Sequence, residues 1–250
     1  MALTLNDYRV AAKRFGLVGT MKIFASRKAL APCLPSKTFR LRPSGCAHPI
    51  TVRHGTSDKY VAIEALAHRQ YSHLLSLRDV KTVIDAGANI GTATVFLLNS
   101  VPQCRVLALE PDPGNFAVLL ENLAPYGPRA QALQMALWGS ETPLVIARVG
   151  FRDGAEWSTQ VAEPGEDGVA EVDGATIASL CRKYDTGVID ILKIDIEGAE
   201  RDVFASIDQA TLRTARTIAG ELHDTQARLA FQNAIALFGS PTMQIGEVTY

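Results

Sequence analysis

The sequence predicts an α/β fold built on a mainly parallel sheet. From residue 80 onward, short apolar runs alternate with helical periodicities, which is the pattern of parallel strands joined by helices. The first of these apolar runs ends in a glycine-rich turn that leads into a helix. A chain of 250 residues is long enough for one large domain, or for one domain with a small appendage.

The elements of this sheet follow one another along the chain. Runs rich in Val, Ile and Leu predict the strands Thr82–Asp85, Arg105–Glu110, Gln131–Trp138, Pro143–Val149, Val188–Ile194, Thr217–Leu222 and Met243–Thr249. Apolar residues spaced i, i+3, i+4 predict helices over Ile90–Asn99, from Pro113, over Ile177–Tyr184, over Ala199–Ile207 and over Ala227–Phe238. This alternation makes consecutive strands parallel, because each helix returns the chain to the start of the next strand.

Two regions lie outside this alternation. Residues 1–79 begin with a basic, partly helical segment and continue through two predicted strands, Thr38–Arg42 and Pro49–Arg53. They predict an N-terminal extension or cap on a main domain at 80–250. The basic segment is either a solvated helix face or a docking face for a partner or membrane surface. Residues 150–174 are rich in Gly and acidic residues, which predicts a lid or a disordered insert.

Composition excludes several classes of protein. The chain has 25 Lys plus Arg and 26 Asp plus Glu, a formal charge of −1, which argues against general nucleic-acid binding. The two longest charge-free runs, 86–104 and 229–246, contain too many polar and helix-breaking residues for a membrane span. The first 30 residues show no secretory signal, and four widely spaced cysteines predict neither a zinc site nor a disulfide framework. We therefore expect a cytoplasmic protein.

The glycine-rich turn is Asp85-Ala86-Gly87-Ala88-Asn89-Ile90-Gly91. Its spacing, with Asn89 where a dinucleotide fingerprint has glycine, argues against a pyrophosphate cradle. An acid before the turn suits a cationic ligand, and Glu110, 19 residues after Gly91, ends the next strand where a carboxylate can bind a ribose diol. This combination predicts an S-adenosylmethionine site. The alternative is a tight structural turn with a capping Asn and a solvated Glu.

A second constellation begins where the strand Val188–Ile194 ends. Asp195, Glu197 and Glu200 follow one another within six residues, and Lys193 could pair with one of them. The next predicted strand delivers His223 to the same edge of the sheet.

These motifs resemble a known family. The runs VIDAGANIGTAT, LEPDPGNFAVLLEN, MALWG, DILKIDIEGAE and GELH resemble the FkbM family of S-adenosylmethionine-dependent methyltransferases, over roughly residues 38–250. The resemblance implies the class I, Rossmann-like, seven-stranded methyltransferase sandwich, with the last strand antiparallel.

The resemblance also implies roles for particular residues. Asp85 and the turn Gly87–Gly91, including Asn89, would hold the methionine portion of the cofactor, and Glu110 the ribose hydroxyls. Ala136, within Met135–Leu137, would lie along the adenine. Asp195 would lie beside the cofactor's amino group or the incoming nucleophile.

The family resemblance suggests O-methylation of a hydroxyl on a sugar, glycolipid or secondary metabolite. His223, Asp195 and Glu197 are the candidate bases, since a histidine with an ordinary pKa suits general-base work near neutrality. A divalent cation bridging Asp195, Glu197 and the substrate oxygen is an alternative that the sequence allows but does not support. His68 and His73 are weaker candidates. The competing interpretations are a non-catalytic methyltransferase-like module and a nicotinamide dehydrogenase, and a homo-oligomer remains open.

Overall fold

The N-terminal region is a long helix followed by a hairpin. The computed structural model describes residues 3–26, 31–147, 160–164, 168–236, 244–245 and 248–249. Helix α1, Leu5–Ala25, begins at a Thr4 capping box and is kinked at Gly16, whose φ is 70°. Strands β1 (Thr38–Leu41) and β2 (Ile50–Arg53) pair antiparallel, close to the predicted bounds.

A run of short helical turns connects this hairpin to the sheet. Helix α2, Asp58–Ala62, continues directly into a π-helical turn at Ile63–His68, which ends at Arg69 in the left-handed conformation. A 3₁₀ turn, Ser72–Ser76, follows. This segment lies over the sheet and supplies one wall of the cavity described below.

The remaining elements alternate as predicted. The strands are β3 (Thr82–Ala86), β4 (Arg105–Leu109), β5 (Ala130–Leu133), β6 (Ala136–Leu137), β7 (Pro143–Ala147), β8 (Val161–Ala162), β9 (Gly168–Ala175), β10 (Ile191–Ile194), β11 (Ile218–Glu221), β12 (Gln244–Ile245) and β13 (Val248–Thr249). The helices are α3 (Thr92–Ser100), α4 (Pro113–Leu123), α5 (Ile177–Tyr184), α6 (Glu200–Ser206), α7 (Gln209–Leu212) and α8 (Thr225–Ile235), and a 3₁₀ helix covers Ala124–Arg129. Helix α8 differs from the predicted helix Ala227–Phe238 because it begins two residues earlier, at Thr225. Residues 237–238 of the prediction lie outside the described part of the chain.

The central sheet confirms the predicted α/β fold. Its strand order is β12-β13-β11-β10-β3-β4-β5, and β11, β10, β3, β4 and β5 are parallel neighbours. Strand β13 runs antiparallel to β11, as the family resemblance implied for the last strand. The prediction of one last strand was wrong in detail, because β12 and β13 are two short strands that pair with each other.

The predicted strand Gln131–Trp138 was also wrong, since it is two strands in different sheets. Strand β5 ends the central sheet at Leu133, where the Met135 N–H donates to the Leu133 carbonyl oxygen (3.1 Å) and turns the chain. Strand β6 then pairs with β9 in a second sheet of order β6-β9-β7-β8.

Part of the segment 150–174 is regular structure. Strands β8 and β9 lie within it, both joined to β7, so the expectation of an unstructured insert was wrong for these residues. Exposed Glu171 alternates with buried Val172, which is the pattern of a half-buried strand. Residues 148–159 and 165–167 lie outside the described residues, so the lid remains a prediction for them.

Two hydrophobic layers cover the central sheet. Val83 and Ile84 are consecutive in β3 and point to opposite faces, each fully buried. Val83 packs in a layer with α3, α4 and residues of α1, β1 and β2. Ile84 packs in a layer with α5, α6 and α8. The N-terminal extension therefore shares a core with the sheet. Among the described helices, none combines the length and apolar character required to cross a bilayer.

Candidate active site

A cavity of about 420 Å³ opens at the carboxyl ends of β3, β4, β10 and β11. This volume lies within the usual range for small-molecule sites. The chain runs outward in both directions from β3, with β4 on one side and β10 on the other, so the turn after β3 lies at the point where ligands bind in open α/β sheets.

The glycine-rich turn forms the floor of the cavity. The N–H groups of Gly87 and Ala88 both donate to the Leu109 carbonyl oxygen, at 3.0 and 2.8 Å, which fastens the turn to β4. Gly87 has a φ of 72°, and a Cβ atom there would collide with the backbone carbonyl oxygen of Asp195. Asn89 lines the cavity, with a φ of 52°, whereas Gly91 caps α3 and packs against Leu119.

Asp85 lies behind the cavity wall. Its side chain is fully buried, with one oxygen 3.0 Å from Lys193 Nζ and the other accepting a hydrogen bond from Thr94 Oγ1. Lys193 lines the cavity, donates to the Gly87 carbonyl oxygen (2.8 Å) and lies 3.5 Å from Asp195 Oδ2. Asp85 therefore does not contact the cavity itself but holds Lys193, which does.

The charge of Lys193 is fixed by its neighbours. Burial alone would lower the pKa of Lys193, but the charges of Asp85 and Asp195 outweigh burial and raise the pKa above its ordinary value. The ammonium group therefore remains a cation between two carboxylates.

Glu110 lines the cavity on the β4 side. Its carboxylate is held by three N–H donors: Asn89 N at 2.8 Å, Asp112 N at 3.0 Å and Asn115 Nδ2 at 3.3 Å. Burial raises the pKa of Glu110 to about 7, although these hydrogen bonds act in the opposite direction.

The N-terminal hairpin supports this side of the cavity. Arg53 Nη2 donates to Asn115 Oδ1 (2.6 Å), which directs the Asn115 amide nitrogen to Glu110. The Arg53 guanidinium is in turn paired with buried Asp58 at 2.7 Å. Residues far apart in the chain thus set the orientation of Glu110.

Asp195, Glu197 and His223 meet at the ends of β10 and β11. The nearest carboxylate oxygens lie 3.8 Å (Asp195) and 3.5 Å (Glu197) from His223 Nε2. His223 Nδ1 lies 2.7 Å from Glu200 Oε1, and Glu200 also accepts from Ile196 N and Gly198 N at 3.1 and 2.8 Å. The structure therefore brings together the second constellation predicted from the sequence.

His223 does not have the pKa that was expected of a base near neutrality. Burial lowers the pKa of His223, but the hydrogen bond and charge of Glu200, with the charges of Glu197 and Asp195, raise it to about 9. In the empty protein, the imidazole is thus protonated at neutral pH and cannot accept a further proton. The ordinary pKa assumed for His223 was wrong, because three carboxylates surround it.

The sequence family of this chain is now evident. Residues 85–240, more than half of the chain, match the family described as Methyltransferase FkbM domain, and this range contains the turn, Glu110 and the acidic cluster. The chain belongs to the FkbM methyltransferase family.

Individual relatives are distant. This FkbM-family chain is 28% identical over 225 residues to 31-O-demethyl-FK506 methyltransferase FkbM of Streptomyces tacrolimicus, covering 77% of this chain and 84% of the relative. It is 28% identical over 217 residues to the AMB antimetabolite synthetase AmbE of Pseudomonas aeruginosa, covering 73% of this chain but only 10% of AmbE. A solved structure of a SAM-dependent methyltransferase from Agrobacterium tumefaciens aligns with a TM-score of 0.45 at 8% identity, over 81% of this chain and 59% of that chain.

Sequence reasoning missed several cavity residues of this FkbM-family protein as site residues, among them Gln70, Tyr71 and Glu221. Gln70 and Tyr71 follow the π-helical turn, which has no periodicity to mark it, and Tyr71 is 3% exposed. Glu221 ends β11, and its Oε1 accepts from Gln70 Nε2 at 2.6 Å. The position of Glu221 at a strand end, two residues before His223, was the available signal. Burial and the charge of Asp195 raise the pKa of Glu221.

The weaker histidine candidates lie elsewhere. His68 Nε2 is 2.8 Å from Asp7 in α1, and exposed His73 lies in the 3₁₀ turn. Ala136, by contrast, lines the cavity with Leu137, next to the β4 side where Glu110 lies.

Proposed function

We propose that this chain binds S-adenosylmethionine in the cavity and transfers its methyl group to a hydroxyl oxygen of a sugar, glycolipid or secondary metabolite. The supporting observation is the division of the cavity by the glycine turn: Glu110 lies on the β4 side, and Asp195, Glu197 and Glu221 lie on the β10–β11 side. The similarity to the Streptomyces tacrolimicus relative, a 31-O-demethyl-FK506 methyltransferase, supports transfer to oxygen.

The cavity suits this cofactor chemically. S-Adenosylmethionine supplies a methyl group activated by a positively charged sulfonium. At Gly87, the space that a side chain would need is already taken by backbone, so only glycine lets the turn close beneath the methionine portion. Ala136 and Leu137 offer an apolar surface for the adenine. Asp195, on the opposite side of the cavity, would lie beside the amino group of the cofactor or beside the incoming nucleophile.

Most of the catalysis expected of this chain is positioning. In-line transfer requires the acceptor oxygen, the methyl carbon and the sulfur to be collinear, so holding the acceptor in place lowers the barrier. As the new oxygen–carbon bond forms and the carbon–sulfur bond breaks, the hydroxyl must lose its proton. In this proposal the proton passes to the carboxylate of Asp195 or Glu197, both of which line the cavity, because the His223 imidazole already carries a proton.

Two measurements test the proposal. Calorimetry with S-adenosylhomocysteine and with NAD should show binding of the former only, and failure to bind S-adenosylhomocysteine would refute the cofactor assignment. Labelled methyl transfer into a fractionated cell extract should then give a labelled product whose new bond is an ether. Cofactor binding without any labelled product would favour the non-catalytic module, and a labelled amine would refute transfer to oxygen.

Glu110→Gln should weaken S-adenosylhomocysteine binding by about 10- to 100-fold. A carboxylate has roughly four lone-pair positions, and three are occupied by N–H donors, which leaves about one strong hydrogen bond for a ribose hydroxyl. A charge-assisted hydrogen bond contributes about 1.5–3 kcal/mol. Glu141→Gln, which removes a carboxylate from an exposed surface pair, is the matched control and should bind normally. Equal affinity for S-adenosylhomocysteine in Glu110→Gln and Glu141→Gln would show that Glu110 does not bind the cofactor.

Binding should also depend on pH through Glu110. With a pKa of about 7 in the empty protein, Glu110 is largely protonated at pH 6 and ionised at pH 8, and only the ionised form accepts fully. The affinity for S-adenosylhomocysteine should therefore rise by about tenfold from pH 6 to pH 8 and then level off. Calorimetry between pH 6 and pH 8 measures this change in affinity. Glu221 and His223 titrate nearby, so the decisive comparison is Glu110→Gln, which should show a flatter profile than the unaltered protein.

A further inference from the structure

The cluster of Asp195, Glu197 and His223 has the spacing of a ligand set. One oxygen or nitrogen from each residue lies within 4.8 Å of the others. The separations of 3.5 and 3.8 Å between His223 Nε2 and the two carboxylates exceed the 2.7–3.2 Å of ordinary hydrogen bonds. Ligands about 2.1 Å from a common ion stand roughly 3 to 4.2 Å apart in octahedral geometry. The two separations from His223 Nε2 fall within this range, and the third, between Asp195 and Glu197, is at most 4.8 Å, so the three atoms can surround one ion.

The His223 ring is fixed so that Nε2 points at this centre. Its side chain is only 4% exposed, and Nδ1 is bound to Glu200, whose side chain is fully buried. Glu200 is itself held by two backbone N–H groups, from Ile196 and Gly198, of the loop that carries Asp195 and Glu197. Among the described residues, the closest partners of Nε2 are the two carboxylates themselves.

A histidine whose second nitrogen binds a carboxylate is the usual arrangement in protein metal sites, because the outer carboxylate fixes the ring and its tautomer. Glu200 occupies that outer position here. The two carboxylate oxygens suit Mn²⁺ or Mg²⁺, and the imidazole nitrogen favours the transition metal Mn²⁺ over Mg²⁺. Asp195 and Glu197 also line the cavity, so the remaining coordination positions of an ion would face the cavity.

We propose that Asp195, Glu197 and His223 bind one divalent cation of the Mn²⁺ or Mg²⁺ class, with Glu200 as the positioning residue for His223. The role of this ion rests on the proposed methyl transfer: it would bind the acceptor hydroxyl and make its proton easier to lose. The binding of the ion itself requires neither cofactor nor acceptor, and the ion takes the place of the proton on His223 Nε2, which is released to solvent.

The test is Mn²⁺ uptake by the full chain, with any affinity tag removed and without cofactor or acceptor, followed through the electron paramagnetic resonance signal of free Mn²⁺. We expect one ion per chain, displaced by excess Mg²⁺. His223→Ala and Glu197→Gln should each weaken uptake by at least tenfold, and Glu200→Gln should weaken it by about 10- to 100-fold, since it disturbs the orientation of the ring. His73→Ala, which removes an exposed histidine from the 3₁₀ turn, should leave uptake unchanged.

The two proposals fail in different ways. A chain that binds S-adenosylhomocysteine but takes up no Mn²⁺ at millimolar concentration overturns the metal site and leaves the proposed function standing. Uptake that survives in both His223→Ala and Glu197→Gln also overturns the site, because the ion is then bound elsewhere. Uptake without S-adenosylhomocysteine binding supports the metal site and refutes the cofactor assignment. Circular dichroism of each variant shows whether it is folded. If His223→Ala does not fold, Mn²⁺ uptake by Glu197→Gln alone decides whether the metal site exists.

Discussion

Lys193→Met is expected to destabilise the protein by about 3–5 kcal/mol, which is a large part of the stability of a typical domain. The substitution keeps an unbranched side chain, shorter by one heavy atom, and removes its charge. Asp85 would then be a buried carboxylate with Thr94 as its remaining hydrogen-bond donor and no cation beside it. The Gly87 carbonyl oxygen would also lose its bond from Lys193. Urea denaturation of the empty protein measures the change in the free energy of unfolding.

A second variant separates loss of the ion pair from loss of packing. Lys193→Met combined with Asp85→Asn removes both charges, and the Asn side chain can still accept from Thr94, so the double variant should recover about 2 kcal/mol or more. Arg182→Met breaks an exposed ion pair with Glu141 and should cost no more than about 1 kcal/mol. A double variant no more stable than Lys193→Met would mean that the lysine stabilises through packing alone.

The Lys193–Asp85 pair also shows where sequence reasoning ends. The alternation of strands and helices was enough to predict that Asp195 and His223 would share an edge, because parallel strands end on the same side of a sheet. Pairing of Lys193 with Asp195 was among the predicted possibilities, but its second partner, Asp85, was not predictable in the same way. It depends on β10 lying next to β3 in a register that sets Lys193 beside Asp85, and strand order is a property of the whole fold.

The cavity residues from the N-terminal region could not be predicted from the sequence for a related reason. Gln70 and Tyr71 follow one π-helical turn and precede one 3₁₀ turn, which are too short and irregular to leave a periodic pattern. Their importance arises only from packing over the sheet. Glu110 was predicted from its position at a strand end, yet its raised pKa comes from complete burial, which composition and spacing do not reveal.

The predicted strands succeeded and failed for physical reasons as well. Strands β3 and β4 are buried on both faces and appear in the sequence as continuous apolar runs. Strand β9 belongs to the small second sheet, is partly exposed, and contains glycine and acidic residues that obscure its alternation. The boundary between β5 and β6 falls inside one run of alternating polar and apolar residues. Periodicity alone cannot show whether such a run forms one strand or two.

Gly87→Ala should have an effect of similar size to Lys193→Met, and it tests the part of the site that the sequence predicted best. The new Cβ would collide with the Asp195 carbonyl oxygen, a backbone atom that cannot rotate away. Alanine would also have to adopt a φ of 72°, which costs about 1–2 kcal/mol by itself. The turn and the end of β10 must therefore separate, so we expect a loss of at least about 3 kcal/mol in stability and no measurable S-adenosylhomocysteine binding.

Gly187→Ala is the matched control for this substitution. Gly187 also has a positive φ, 60°, but a Cβ atom there meets no atom within 4 Å. It should therefore show the backbone strain alone, about 1–2 kcal/mol, with cofactor binding intact. The difference between the two variants measures the close approach of the turn to β10. If both variants lose the same stability, the Gly87 turn is not in tight contact with the Asp195 carbonyl oxygen. The turn can then move away from Asp195 without disturbing the acidic cluster.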